Sequence, residues 1–327
     1  MVAREQPGAN PMTTPIYDFT SQVKAKGVIT AEDVLAVRHI VWPDGKIDPT
    51  EADAVFDLNS GLNAAPREWV DFFVEAIETY VVHQQAPVGY VDDAKANWLI
   101  SRIDSDGRVD SLGELELLAK ILEDATNVPE TFKAYALKQI ETIIMTGSGP
   151  TRDGGALDPG TINAAEVKLL RRMLFAQAGD GPALVSTTEA DMLFRLKDAT
   201  LNAANAPEWS SFFVQAVGNH LMAHSDYQPL SRDRAGQLDA FMNDTHVSIG
   251  GFFGRMLKAG PISGFQDLFG AKAKRPSHDE AVAADRAISP DEVSWLKREV
   301  EGDHNFDPIE KQLLAFIAEE SGGPVKL

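Results

Sequence analysis

The chain has 327 residues, no cysteine and a formal net charge of −19 at pH 7. The absence of cysteine excludes disulfides and thiolate metal sites, and the acidic surface disfavours nucleic acids and anionic membranes, which select lysine and arginine. No apolar run is long enough to span a bilayer, and the first residues have no apolar signal segment. We therefore expect a cytoplasmic protein whose partners are other proteins.

Residues 1–27 are predicted to form a flexible N-terminal arm. The chain then repeats a helix-start pattern in which a Thr, Asn or Ser N-cap precedes an acid by three positions. This pattern occurs in 29-ITAEDVLAVRHIVW-42, 162-INAAEVKLLRRMLF-175 and 288-ISPDEVSWLKREVE-301. Apolar residues follow each cap at helical spacing, so each segment is predicted to be an amphipathic helix.

A second repeated segment contains an aromatic stripe. The sequence 68-EWVDFFVEAI-77 matches 208-EWSSFFVQAV-217, and 129-PETFKAYALKQIETII-144 echoes 66-PREWVDFFVEAIETYV-81. We interpret the stripes of Trp69 and Trp209 as core. The repeating unit is then helix, polar loop, helix, proline and helix, with copies that start near Ile29, Val91, Ile162, Leu230 and Ile288.

No segment shows a strand pattern, so the predicted fold class is all-α, built from repeated helix–loop–helix units. The predicted organisation is two helical bundles followed by a C-terminal helical pair. Its boundaries are 28–146 for the first bundle, 147–160 for a linker, 161–258 for the second bundle, 259–287 for another linker and 288–327 for the C-terminal helix–loop–helix.

Four loops between paired helices share one feature. They are 44-DGKIDPTE-51, 106-DGRVDSLGE-114, 180-DGPALVSTTE-189 and 303-DHNFDPIE-310. In each, an Asp or Ser precedes the final Glu by three positions, which predicts a capping box at the start of the second helix. A capping box stabilises a helix by about 1 kcal/mol without any metal.

The same acids also permit a second interpretation, in which one or more loops bind Ca²⁺ or another divalent cation. Hard cations require six to eight oxygen ligands. The best candidate ligands are Asp104, Asp106, Asp110 and Glu114; weaker candidates are Asp303, Asn305, Asp307 and Glu310 in the last loop and Asp44, Asp48 and Glu51 in the first.

The loop pattern Asp-Gly-x-Ile-Asp/Ser-x-x-Glu with its flanking helices resembles the TerB-like family, and it is also similar to degenerate EF-hands. The resemblance implies small, acidic, non-enzymatic helical domains with a metal-binding acidic patch and roles in stress-linked complexes. The positions that carry it are Asp44, Asp48, Glu51, Asp106, Asp110 and Glu114. The third copy has Val185 and Ser186 in place of the second acid, and the fourth, 244-DTHVSIGG-251, lacks the terminal glutamate.

Other chemistry receives little support from the sequence. His220 and His224 are four positions apart on a predicted helix, but no HExxH motif is present, and we interpret His220 as a structural histidine. Phosphate-binding glycine motifs and a nucleophile elbow are absent, so we expect no enzyme activity and assign no catalytic residue. Two hypotheses remain: a protein-binding or scaffolding module, and a divalent-cation binder.

Overall fold

The computed structural model describes residues 15–104, 109–152, 159–176, 178, 184–223, 290–300 and 306–320. In this part of the chain all regular secondary structure is helical, which confirms the predicted all-α class. None of the described helices combines the length and the apolar character that crossing a bilayer requires. The chain divides into two compact units, and each is described by itself below.

The described residues of the first unit form seven α-helices and one π-helical segment. Its helices are α1 (Pro15–Lys26), α2 (Ala31–Val41), α3 (Pro49–Ser60), α4 (Arg67–Glu78), the π segment (Thr79–Gln84), α5 (Asp93–Ile103), α6 (Leu112–Asp124) and α7 (Glu130–Thr146). The described helices of the second unit are α8 (Ala164–Leu174), α9 (Thr187–Thr200), α10 (Glu208–Ala223), α11 (Pro290–Val300) and α12 (Pro308–Glu320).

Helix α1 corrects part of the predicted N-terminal arm. Residues 15–26 are helical, and Ile16 and Val23 are buried against α2 and α3. These two side chains are seven positions apart, so they lie on one face of the helix. Burial of that face explains why this segment is ordered although its exposed positions are polar. Residues 1–14 lie outside the described part of the chain.

Aromatic side chains from three helices form the centre of the first unit. The ring of Phe56 on α3 makes edge contacts with Phe73 on α4 at 5.2 Å and with Trp98 on α5 at 5.4 Å. Trp69 lies beside Phe72, with ring centroids 5.7 Å apart. The indole of Trp69 is completely buried, as its interpretation as core requires. Edge-to-face geometry adds to the burial of these large rings.

The second unit has an aromatic centre with the same geometry. Phe194 on α9 makes edge contacts with Phe213 on α10 at 5.1 Å and with Trp295 on α11 at 5.6 Å. Trp209 is 1% exposed and lies 6.0 Å from Phe212. The helices α9, α10 and α11 thus supply the same ring types, in the same mutual arrangement, as α3, α4 and α5.

The C-terminal helices are part of this second core. Trp295 on α11 donates a hydrogen bond from Nε1 to Asp191 Oδ1 at 2.7 Å, and Leu313 and Ile317 on α12 are completely buried. Gly218 on α10 leaves the space that the ring of Phe316 occupies. The sequence predicted this pair as a separate C-terminal element, and the structure adds its packing against α9 and α10.

Candidate functional site

The predicted capping boxes are present at the described helix starts. At α3, Asp48 Oδ1 accepts from the Glu51 amide and Glu51 Oε2 accepts from the Asp48 amide, both at 2.8 Å. The same reciprocal arrangement forms at α6, α9 and α12, with the pairs Ser111 and Glu114, Ser186 and Glu189, and Asp307 and Glu310. The prediction that these acids start helices is therefore confirmed.

The described carboxylates of the best cation candidate, Asp104, Asp110 and Glu114, do not bring one oxygen each within 4.8 Å of one another. Asp104 is exposed at the end of α5. Glu114 Oε2 accepts from the backbone amides of Asp110 and Ser111, both at 3.2 Å, and its Oε1 accepts from Asn59 Nδ2 at 3.1 Å. Both oxygens of Glu114 thus have protein donors. Asp106 lies outside the described residues, so cation binding at this loop stays a prediction.

In the last of the four loops, the two described candidate carboxylates contact the ammonium group of a lysine side chain. The ammonium of Lys197 on α9 lies 2.6 Å from Asp307 Oδ2 and 2.5 Å from Glu310 Oε1, and all three side chains are buried. A third carboxylate, Asp198, lies 2.7 Å away. Burial alone would lower the pKa of Lys197, but its hydrogen bonds to Asp198, Asp307 and Glu310 raise it well above its ordinary value.

In the capping box of α12, one oxygen of each carboxylate caps the helix and the other contacts Lys197. Asp307 Oδ1 and Glu310 Oε2 accept backbone amides of the capping box, while Asp307 Oδ2 and Glu310 Oε1 face the lysine. The sequence placed Asp307 and Glu310 among the metal candidates, and the structure brings them together around an ammonium group. Asp303 and Asn305, the other candidates in this loop, lie outside the described residues.

The first loop presents the same box without an internal cation. Asp48 Oδ1 and Glu51 Oε2 form the cap, and within the described residues the other oxygen of each carboxylate has no hydrogen-bond partner. Asp44 accepts from the Lys46 amide at 3.0 Å and so folds the turn before the box. The Ile47 amide is held by Gln84 Oε1 of the π segment at 2.9 Å.

An open cleft of about 700 Å³ lies between this loop and the π segment. Asp44, Asp48 and Glu51 line one wall together with Lys46, and residues 80 and 83–86 line the other. Burial raises the pKa of Glu51, and the nearby charges of Asp48 and Asp44 raise it further. The cleft is therefore a place where a cationic group would be stabilised.

A cluster that the sequence analysis missed lies at the end of α4. Glu78, His83 and Asp124 bring one potential ligand atom each within 4.8 Å of one another. Glu78 is 5% exposed, and burial raises the pKa of its carboxyl. The spacing of Glu78 and His83 gives no helical signal in the sequence, because residues five apart on an α-helix point about 140° apart.

His220 is a buried structural residue, as interpreted from the sequence. Its ring is 3% exposed, Nδ1 lies 2.8 Å from the Val185 carbonyl, and Trp295 packs edge-on at 4.8 Å. His224, its proposed partner at helical spacing, lies outside the described residues.

Similarity to known proteins does not extend these observations. No protein-family model matches this chain, and neither a curated protein nor a solved structure matches it.

Proposed function

We propose that this chain is a non-enzymatic, acidic protein-binding module, and that the loop between α2 and α3 binds a lysine side chain of a basic partner. The observation that carries the proposal is the pair of unpartnered oxygens on Asp48 and Glu51 at the cleft. The partner's ammonium would occupy the position that Lys197 occupies at the box of α12.

The two boxes are chemically the same. Asp48-Pro49-Thr50-Glu51 and Asp307-Pro308-Ile309-Glu310 both place Asp at the N-cap, Pro at N1 and Glu at N3. In both, capping uses one oxygen of each carboxylate. The remaining oxygens form a two-point acceptor for an N–H donor, and charge-assisted hydrogen bonds of this kind are the strong ones.

Charge favours a cationic occupant over a neutral one. Among the described residues that line the cleft, the acids Asp44, Asp48 and Glu51 outnumber the basic side chains Lys46 and His83. Burial and, to a smaller extent, the charges of Asp48 and Asp44 raise the pKa of Glu51, and an incoming ammonium would favour its charged form. The formal net charge of −19 for the whole chain would also speed the encounter with a basic partner through long-range attraction.

We further propose that α2–α6 and α8–α12 are two copies of one five-helix module. Support comes from the aromatic contacts: the set Phe56, Phe73 and Trp98 corresponds to Phe194, Phe213 and Trp295. In this alignment α11 and α12 correspond to α5 and α6. The fourth predicted repeat, near Leu230, lies outside the described residues. The resemblance to TerB-like domains agrees with a non-enzymatic acidic module.

Fluorescence anisotropy with a labelled, lysine-rich peptide tests the docking proposal on the full-length chain. We expect saturable binding that weakens about five- to thirtyfold in Asp48→Asn/Glu51→Gln, because two charge-assisted contacts of roughly 0.5–1 kcal/mol each are removed. Both amides still accept capping hydrogen bonds, so the fold is retained. A peptide with glutamine in place of every lysine should not bind.

The matched control is Asp57→Asn/Asp93→Asn, which removes two exposed charges that do not line the cleft. We expect this variant to bind as the unmodified chain does. Equal weakening in both double variants would mean that only overall charge attracts the peptide. Unchanged binding in Asp48→Asn/Glu51→Gln would place the docking surface elsewhere. Either result would reject the proposal.

A further inference from the structure

The cluster at the end of α4 is shaped by the π segment. In this segment the Gln85 amide donates to the Tyr80 carbonyl five residues earlier, at 3.2 Å. A turn closed over five residues brings His83 above Glu78, and His83 Nε2 lies 2.9 Å from Glu78 Oε1. Such π turns inside α-helices occur frequently at functional sites. The local backbone geometry thus creates the juxtaposition of imidazole and carboxylate.

The Glu78 carboxylate is the unusual member of this cluster. It is 5% exposed, its Oε1 lies 2.9 Å from His83 Nε2, and this oxygen accepts no hydrogen bond among the described residues. A buried carboxylate oxygen without a donor is costly. A proton or a metal ion shared by Glu78 Oε1 and His83 Nε2 would satisfy both atoms. The imidazole of His83 is half exposed, so solvent reaches the cluster.

Asp124 on α6 completes the group from a second helix. Its carboxylate also binds the Lys120 ammonium at 2.6 Å through Oδ2. A carboxylate has about four acceptor positions, so this ion pair leaves acceptor capacity on Asp124. Lys120 also provides a positive charge that partly offsets the two acids, so that the cluster has a net charge of about −1 with neutral His83.

We infer that Glu78, His83 and Asp124 form a site for Zn²⁺ or a similar borderline divalent metal, with water as the remaining ligand. One imidazole nitrogen and two carboxylate oxygens are ligands that zinc accepts. In a tetrahedral site with bonds of about 2.0–2.2 Å, ligand atoms are about 3.4 Å apart. The three atoms here lie within 4.8 Å of one another, so small side-chain rotations suffice. Ca²⁺ needs more oxygens than this group offers.

The second unit differs at two of the three corresponding positions, while Glu320 on α12 stands where α6 has Asp124. Gly218 and Ala223 on α10 stand where α4 and the π segment have Glu78 and His83, and Phe316 on α12 stands where α6 has Lys120. The ring of Phe316 fills the space beside Gly218. A packed apolar contact therefore occupies the place of Glu78 in the second unit.

Calorimetry of the metal-stripped, tag-free full-length chain with Zn²⁺ tests the inference, and Co²⁺ absorption spectra report the ligand environment. We expect saturable zinc binding with one equivalent that weakens at least about tenfold in His83→Ala and in Asp124→Asn, as expected when a ligand is removed. The control His39→Ala removes an exposed histidine outside the cluster and should leave binding unchanged.

Two results would overturn the inference. Absence of saturable Zn²⁺ binding would mean that Glu78, His83 and Asp124 form only a structural contact. Zinc binding that is unchanged in His83→Ala would mean that the metal is held elsewhere. The inference stands independently of peptide docking, because Asp48→Asn/Glu51→Gln should retain full zinc binding while losing the peptide.

Discussion

In each unit, a polar side chain contacts the capping box of a neighbouring helix, and the two units use different residues for this contact. At the inner end of α3, Asn59 Nδ2 donates to Ser111 Oγ at 2.9 Å and to Glu114 Oε1 at 3.1 Å. At the corresponding place on α9, Lys197 donates to Asp307 and Glu310. A neutral amide faces a Ser–Glu box, and an ammonium faces an Asp–Glu box. The residue that faces the box is neutral where the N-cap is the neutral Ser111, and it is charged where the N-cap is the charged Asp307.

The exchange also affects the neighbouring tryptophans. Asn59 Oδ1 accepts from Trp69 Nε1 at 3.1 Å. A lysine has no acceptor atom, and Trp209 Nε1 is accordingly buried without a hydrogen-bond partner among the described residues. The second unit therefore retains a strong ion pair while leaving one indole N–H unsatisfied. The Asp48–Glu51 box belongs chemically to the second type, yet among the described residues no lysine, including Lys46 on the same cleft wall, forms an ion pair with it.

The largest expected effect comes from Lys197→Met. It leaves Asp307 and Glu310 buried without their cation, and breaking a buried pair in this way costs about 3–5 kcal/mol. Urea unfolding of the full chain, with amide hydrogen exchange to locate the loss in α9 and α12, measures the effect. A loss below about 1 kcal/mol would contradict the assigned role of Lys197, since surface ion pairs fall in that range.

The double variant Lys197→Asn/Asp307→Ser sharpens the same comparison. It installs the polar set of the first unit in the second, and it supplies an acceptor for Trp209 Nε1. We expect this variant to recover most of the stability that Lys197→Met loses. Failure to recover would show that the two units are not interchangeable at this position.

A smaller loss is expected for Asn59→Leu in the first unit. The change removes the donors and the acceptor that serve Ser111, Glu114 and Trp69. Buried polar groups left unsatisfied cost about 1–3 kcal/mol, less than an unpaired buried charge. Hydrogen exchange should show the loss in α3 and α6, while α9 and α12 stay protected. Equal losses of unfolding free energy in Asn59→Leu and Lys197→Met would contradict the expectation that the charged contact contributes more stability than the neutral one.

The smallest effect is expected for Glu51→Gln, and its sign differs from the others. The pKa of Glu51 is raised in the folded chain, so the folded state binds protons more readily than the unfolded state, and Glu51 becomes less destabilising as pH falls through that pKa. At pH 7 the amide variant should be as stable as the parent or more stable, by less than about 1 kcal/mol. A clear loss of stability would mean that the Glu51 charge serves the cap rather than a partner.

Local sequence signals predicted the helix starts well. The boxes at Asp48 and Glu51 depend on hydrogen bonds between residues three apart, and such contacts can be inferred from a short sequence. Long-range pairings could not be inferred in this way. Lys197 and Asp307 are 110 positions apart. The available sequence signal was the alignment of α3 with α9, in which Lys197 takes the position of Asn59.

Two other features escaped the sequence analysis for physical reasons. Helix α1 is ordered by tertiary burial of Ile16 and Val23, in a segment that otherwise has the polar composition of an arm. The juxtaposition of Glu78 and His83 depends on a π turn, and the expected spacing of three or four residues does not detect it. Both features follow from packing that adjacent residues do not determine.

The most direct test of the central claim is an NMR titration of the Glu51 side-chain carboxyl with and without saturating lysine-rich peptide. If the partner's ammonium binds between Asp48 and Glu51, the pKa of Glu51 should fall on peptide addition, because an adjacent cation favours the charged carboxylate. An unchanged pKa at saturation would contradict the claim and would mean that the Asp48–Glu51 box serves only to start helix α3.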